Sequence, residues 1–168
     1  MDVFDAVRTV LAVRKYQSMP VPPEIIRKIV DAGRLSASAS NKQPWHFIVV
    51  EDRETLQKLG VLARSGPYIA QASAAVVVLT DKGQFGVSDT SRAIQNMVLT
   101  AWSEGVGSNW VGFFGLEALK PLLSVPDPWE VFAILPLGYP EARLGFGKKN
   151  RKPFSEVVHR GKFGVKYS

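Results

Sequence analysis

Apolar residues at Val3, Ala6, Val7, Val10 and Leu11 recur at helical spacing and predict a helix from Asp2 to about Leu11. Met19-Pro20-Val21-Pro22-Pro23 is a rigid connector, and Pro23 suits the first turn of a second helix. That helix presents Ile25, Ile26, Ile29, Val30 and Gly33 on one face, and its pattern ends at Leu35. Trp45 to Val50 then reads as a strand, followed by Asp52 as the N-cap of a helix running to about Ala63. Gly66-Pro67 breaks this helix. Ala74 to Thr80 is a continuous apolar, β-branched run, which predicts a strand buried on both faces. Asp89 or Thr90 is expected to cap a long helix with Ile94, Met97, Val98, Ala101, Trp102 and Gly105 in phase. A strand at Asn109 to Phe114, a helix at Leu116 to Leu123 and a strand at Val131 to Leu137 complete the pattern. The order alternates helix and strand, so we expect an α/β sheet covered on both faces, without internal repeat or domain linker.

The join between the second helix and the first strand is the most informative stretch. Ser36 to Gln43 crowds small hydroxyl and amide groups into a short loop, closed by Pro44 and followed at once by Trp45. Such a loop presents many short donors and acceptors in little volume, which suits a flat ligand with polar edges. The competing reading is a loop that satisfies itself, because Ser and Asn bond their own backbone readily.

Composition narrows the options. At 168 residues, 46% hydrophobic and 21% charged, the chain fits one globular domain with a real core. No run approaches the roughly 18 apolar residues that span a bilayer, and the opening acidic residues do not resemble a secretory signal, so a cytoplasmic protein is expected. The absence of cysteine excludes disulfides and thiolate chemistry, and two histidines, His46 and His159, are too few for an all-protein zinc site. Residues 142–168 hold eight Lys or Arg against Glu156 alone, so the positive charge is concentrated at the end of the chain. A basic tail of this kind holds nucleic acid or an anionic ligand, or faces solvent. The apolar residues Phe154, Val157, Val158, Phe163, Val165 and Tyr167 lie in the same segment, and they predict that it wraps a partner subunit.

Several motifs lead nowhere. Gly105-Val-Gly107 closes a helix and has Trp110 where a third glycine would complete a dinucleotide turn. Gly147-Lys148-Lys149 lacks the first glycine and the hydroxyl residue of a P-loop, and no Gly-x-Ser-x-Gly is present. His46, in strand phase between Trp45 and Phe47, reads as structural rather than basic. The chain offers no evident acid, base or nucleophile, which points to chemistry carried by a cofactor.

Four blocks in order resemble short members of the nitroreductase family. They are Phe4-Asp-Ala-Val-Arg8 with Val13-Arg-Lys-Tyr16, the Ser36 to Val50 stretch, Arg92 to Trp102 with Gly105 to Gly112, and Leu137-Gly-Tyr-Pro140 with Lys148 to Pro153. The resemblance implies an α/β (α+β) nitroreductase-like fold over residues 1–168, with a central mixed sheet flanked by helices. It implies a domain-swapped homodimer in which about 141–168 wraps the partner, and FMN bound at the interface. Arg14 would approach the pyrimidine side of the flavin; Ser38, Ser40, Asn41 and Gln43 would reach the ring and ribityl chain from the other subunit. Trp110, Val111 and Gly112 would lie along the ring, mainly through backbone, and Lys149 and Arg151 would hold the phosphate. The implied activity is hydride transfer from NADH or NADPH through flavin to a nitroaromatic, quinone or similar small acceptor in a ping-pong cycle. Two other readings stay open: a flavin-binding protein without turnover, and a nucleic-acid binder using the basic tail. The chain departs from the family where Val10-Leu11-Ala12 replaces the usual Arg-Arg-Ser. Two phosphate contacts, each about 1.5–3 kcal/mol, are thereby missing; either Lys148, Lys149 and Arg151 compensate, or FMN binds weakly or gives way to another ligand.

Overall fold

A computed structural model describes residues 1–112, 115–142 and 149–167. The described elements are helices α1 (Val3–Thr9), α2 (Pro23–Arg34), α3 (Arg53–Leu62), α4 (Gly86–Ser103), α5 (Leu119–Leu122) and α6 (Phe154–Val157). Among them run strands β1 (Trp45–Val50), β2 (Ala74–Thr80), β3 (Gly107–Ser108) and β4 (Glu130–Gly138). The strands form one sheet in the order β1-β2-β4-β3, and each of these pairings is antiparallel. The mixed character expected of the sheet is confined to a single parallel bridge, Ala12 to Ser108, beside the short edge strand.

β2 explains the layering. Its alternate residues Ala74, Val76 and Val78 pack with Ile26, Ile29, Ile94, Met97 and Ala101 of α2 and α4. Ala75, Val77 and Leu79 point the other way, into a cluster with Leu56, Leu59 and Leu119 of α3 and α5. A strand with helices on both sides must be apolar at every position, and all seven residues of β2 are buried. The sequence pattern therefore marked the double burial, although it occurs here between antiparallel neighbours.

Local chemistry sets the boundaries. Asp52 caps α3 by accepting from the Thr55 amide at 2.8 Å, as expected. Helix α4 begins three residues before Asp89, which overturns the expected caps. Gly86 opens the helix because a Cβ there would sit 2.7 Å from the Asp81 carbonyl oxygen. Asp89 and Thr90 are buried in the first turn instead. Thr90 meets Thr80 at 2.9 Å between hydroxyl oxygens, fastening α4 to the end of β2. Of the expected strand at Asn109–Phe114 the described residues show an isolated bridge at Val111; β3 precedes it at Gly107–Ser108, and Phe113 and Phe114 lie outside the described residues.

Candidate functional site

Helix α1 and the residues after it form one wall of a cavity of about 660 Å3. Phe4, Val7, Arg8, Val10, Leu11 and Ala12 line that wall, while Gln95 and Val98 of α4 line another. Ser108, Asn109 and Trp110 close a third side, and Lys149 and Arg151 complete it. The volume falls in the range of small-molecule sites. Three antiparallel and parallel links hold the N-terminal wall against the sheet edge. The Val13 amide donates to the Ser108 carbonyl at 2.9 Å, Ala12 bridges Ser108, and Gln17 donates to the Tyr139 carbonyl at 2.8 Å.

The charged side chains that line this cavity, Arg8, Lys149 and Arg151, are all cations. Lys149 Nζ donates to the Val7 carbonyl at 2.6 Å, near the C-terminal end of α1, where free carbonyls favour a cation. Desolvation, and then repulsion from Arg151, hold the Lys149 ammonium below the usual lysine range. Arg8 is tied to Asp5 at 2.8 Å. Val10, Leu11 and Ala12 add no polar side chain to the lining. An anion entering the cavity would meet Lys149 and Arg151, and the rest of its body would meet apolar surface. Lys148, the other residue expected to compensate for the missing Arg and Ser, lies outside the described residues.

The remaining residues singled out from the sequence divide into groups. Trp110 is 36% exposed, lines the cavity and stands edge-on to Phe132 at 5.6 Å between ring centroids. Gly112 lies against Trp110, where a Cβ would come within 2.9 Å of the indole nitrogen. Val111 differs from the expectation of a backbone offered to a ring. Its amide and carbonyl are both committed to Ile134, at 3.0 and 2.8 Å, and its side chain is in the core. Arg14 is exposed, outside the cavity lining, with its guanidinium carbon 6.0 Å from the centre of the Tyr68 ring.

Ser38, Ser40, Asn41 and Gln43 form a separate turn that does not line this cavity. The turn is built stiffly. Ser40, Asn41 and Gln43 all have positive φ, near +50°. Each costs roughly 1–2 kcal/mol for a residue with a Cβ and persists only where the surroundings enforce it. The Gln43 amide donates to Ser38 Oγ at 2.9 Å, and Gln43 Nε2 donates to the Asn41 carbonyl at 3.2 Å. The Ala39 amide donates to Asp89 Oδ2 at 2.9 Å. Asp89, 1% exposed, is thus an anchor of the turn that sequence reasoning took for a helix cap. Its position fifty residues away left no local signal for this contact.

The comparisons agree with this architecture. The model of the nitroreductase family matches residues 8–87 and 80–139, most of the chain. The chain belongs to the nitroreductase family. A relative in Methanothermobacter thermautotrophicus is 40% identical over 154 residues, covering 86% of this chain and 81% of its own, and carries the provisional name NADH dehydrogenase/NAD(P)H nitroreductase. The structure of an FMN-dependent nitroreductase from Clostridium difficile R20291 is 26% identical with a TM-score of 0.84, covering 95% of this chain and 99% of its own. A nitroreductase family protein from Clostridium difficile 630 superposes with a TM-score of 0.86 at 28% identity, covering 96% of this chain and 99% of that one.

Proposed function

We propose that this chain is an FMN-dependent oxidoreductase that accepts electrons from NADH or NADPH and delivers them to a nitroaromatic, quinone or similar conjugated acceptor. The observation that carries the reading is the cavity of about 660 Å3, walled by Trp110 and Asn109 and holding Lys149 and Arg151 as two neighbouring cations. The residues fit the group. A phosphate supplies the anion that a desolvated Lys149 beside Arg151 lacks, and the apolar wall of Val7, Val10, Leu11 and Val98 suits uncharged ligand surface.

When bound, the flavin supplies the redox chemistry, taking a hydride from the nicotinamide and passing it to an acceptor that follows in the same slot. The chain's own residues then have tasks of position and charge. Lys149 and Arg151 hold the phosphate. Arg14 places positive charge at the pyrimidine end, where charge accumulates on reduction. Trp110 and Gly112 bound the ring edge, and Val111 fixes that edge by its two bonds to Ile134. The turn at Ser38, Ser40, Asn41 and Gln43 serves the cavity of a second copy, which explains why it stands apart from the cavity of its own chain.

The reading includes a dimer, which the exposed apolar residues support. Phe154 is 62% exposed and Phe163 94% exposed in the single chain, a large cost unless covered. Val3, Phe4 and Val7 on α1 are exposed as well. A second copy wrapped by residues 141–168 covers such surface and brings its Ser38–Gln43 turn to the cavity. Among the described residues no helix is long and apolar enough to cross a membrane. The test is an absorbance spectrum of the purified protein titrated with FMN, with molar mass from light scattering. Bleaching of the bound flavin by NADH or NADPH supports the reading. A protein that takes up no FMN refutes it, and one that holds FMN without bleaching is a binding protein only.

A further inference from the structure

We infer that Tyr68 is a positioning residue for the flavin site, setting Arg14 with its ring and Asn109 with its hydroxyl. The inference rests on the FMN reading above and adds a residue that neither the sequence motifs nor the cavity lining identified.

Tyr68 sits in a short turn, Pro67–Gln71, that is unusually well fixed. Gly66 enters the turn where a Cβ would strike Val111 at 2.6 Å. At its far end the Arg53 guanidinium donates to the Ala70 carbonyl at 2.7 Å and to the Ala72 carbonyl. The half-buried ring packs against two hydrophobic clusters and so cannot rotate freely. Its face lies under the Arg14 guanidinium, 6.0 Å from carbon to centroid, the spacing of a cation–π contact. Its hydroxyl accepts from Asn109 Nδ2, and Asn109 is buried in the cavity wall.

The consequence is positional. Arg14 follows the extended segment after α1 and makes no ion pair among the contacts described. A long exposed side chain of this kind loses several rotamers when it is held. Stacking on a fixed ring removes that freedom before a ligand arrives, and the same phenol fixes Asn109 beside Trp110. One residue therefore holds both the Arg14 cation and Asn109 of the cavity lining.

The test uses the FMN-loaded protein and compares affinities for oxidised and reduced FMN in wild type, Tyr68→Leu, Tyr68→Phe, Arg14→Gln and the Arg14→Gln/Tyr68→Leu double variant. Loss of the stack is expected to lower the preference for reduced over oxidised FMN about threefold in Tyr68→Leu. Tyr68→Phe keeps that preference and weakens both forms alike through Asn109. In the Arg14→Gln background, Tyr68→Leu is expected to change the preference no further. An unchanged preference in Tyr68→Leu, or an undiminished effect in the double variant, overturns the role, because a merely structural residue lowers both affinities together. Should Tyr68→Leu fail to fold, Tyr68→Met carries the same test: it keeps the apolar bulk and loses the flat stacking face. A threefold loss of preference supports the inference, and no loss overturns it. A wild type that binds no FMN refutes the functional reading itself, and that result precedes any comparison of variants.

Discussion

Gly107→Ala is a one-carbon perturbation whose effect on both fold and site follows from geometry. Gly107 lies in β3, directly over the segment that carries Leu11 to Arg14. A Cβ built there would stand 2.5 Å from Val13 Cγ2, 2.7 Å from its Cβ and 2.9 Å from Cγ1. Ordinary contact needs about an ångström more, and a β-branched side chain cannot swing aside because its χ1 is restricted. Val13 is buried, so the segment itself must retreat, straining the 2.9 Å bond from the Val13 amide to the Ser108 carbonyl. Overpacking of this kind costs about 1–3 kcal/mol. At a urea dependence of about 2 kcal/mol per molar, the midpoint of unfolding should fall by roughly 0.5–1.5 M. FMN affinity should fall as well, since Leu11 and Ala12 form the cavity wall that moves. Gly105→Ala is the control. Its Cβ would meet nothing within 4 Å, so its cost comes from the backbone at φ +76°, about 1–2 kcal/mol for the left-handed region, and the cavity should be unaffected. A Gly107→Ala protein with the midpoint and FMN affinity of the wild type would refute the close-approach argument.

Lys149→Gln and Arg151→Gln should each weaken FMN binding about tenfold or more in a fluorescence titration, the size of a lost charge-assisted contact. The pH dependence has a definite sign. In the proposed site Lys149 would bind the phosphate as the cation, and its pKa is lowered by desolvation and by Arg151. Wild-type affinity should therefore fall as pH rises through that lowered value, and in Arg151→Gln the fall should move to higher pH. Asp89→Ala removes the carboxylate that accepts from the Ala39 amide. It should lower the melting temperature and weaken FMN binding, since the strained turn at Ser40–Gln43 loses its anchor. Removal of residues 153–168 should yield a monomer by light scattering that no longer retains FMN; a dimer with normal FMN content would contradict the wrapping segment.

How much was legible in the sequence depended on how far each cause lay along the chain. β1 and β2 were read at their observed bounds because apolar runs and nearby Pro and Gly are local signals. The cap at Asp52 was readable for the same reason, since donor and acceptor are three residues apart. The start of α4 was not. Its cause is the close approach of Gly86 to Asp81, and a glycine in a string of turn residues does not announce which neighbour excludes a side chain. Lys149, Arg151 and Trp110 were recognised through family motifs and do meet in one cavity. Asp89, Asn109 and Tyr68 were missed because each acts across 40 or more residues and none has a spacing that marks it.

The departure at Val10-Leu11-Ala12 gains meaning from the cavity. With Arg, Arg and Ser there, cations would face the ligand from both the N-terminal wall and the C-terminal segment. In this chain positions 10–12 of the lining are apolar, and Lys149 and Arg151 line the same cavity. Desolvation, and then the like charge of Arg151, lower the Lys149 pKa, and a dianion between the two cations would offset that repulsion by its attraction to both. Because Lys149 also rests on the Val7 carbonyl, an anion held there is linked to the end of α1. Arg151→Ala should consequently raise the Lys149 pKa while weakening FMN, because the same guanidinium repels the ammonium and attracts the phosphate.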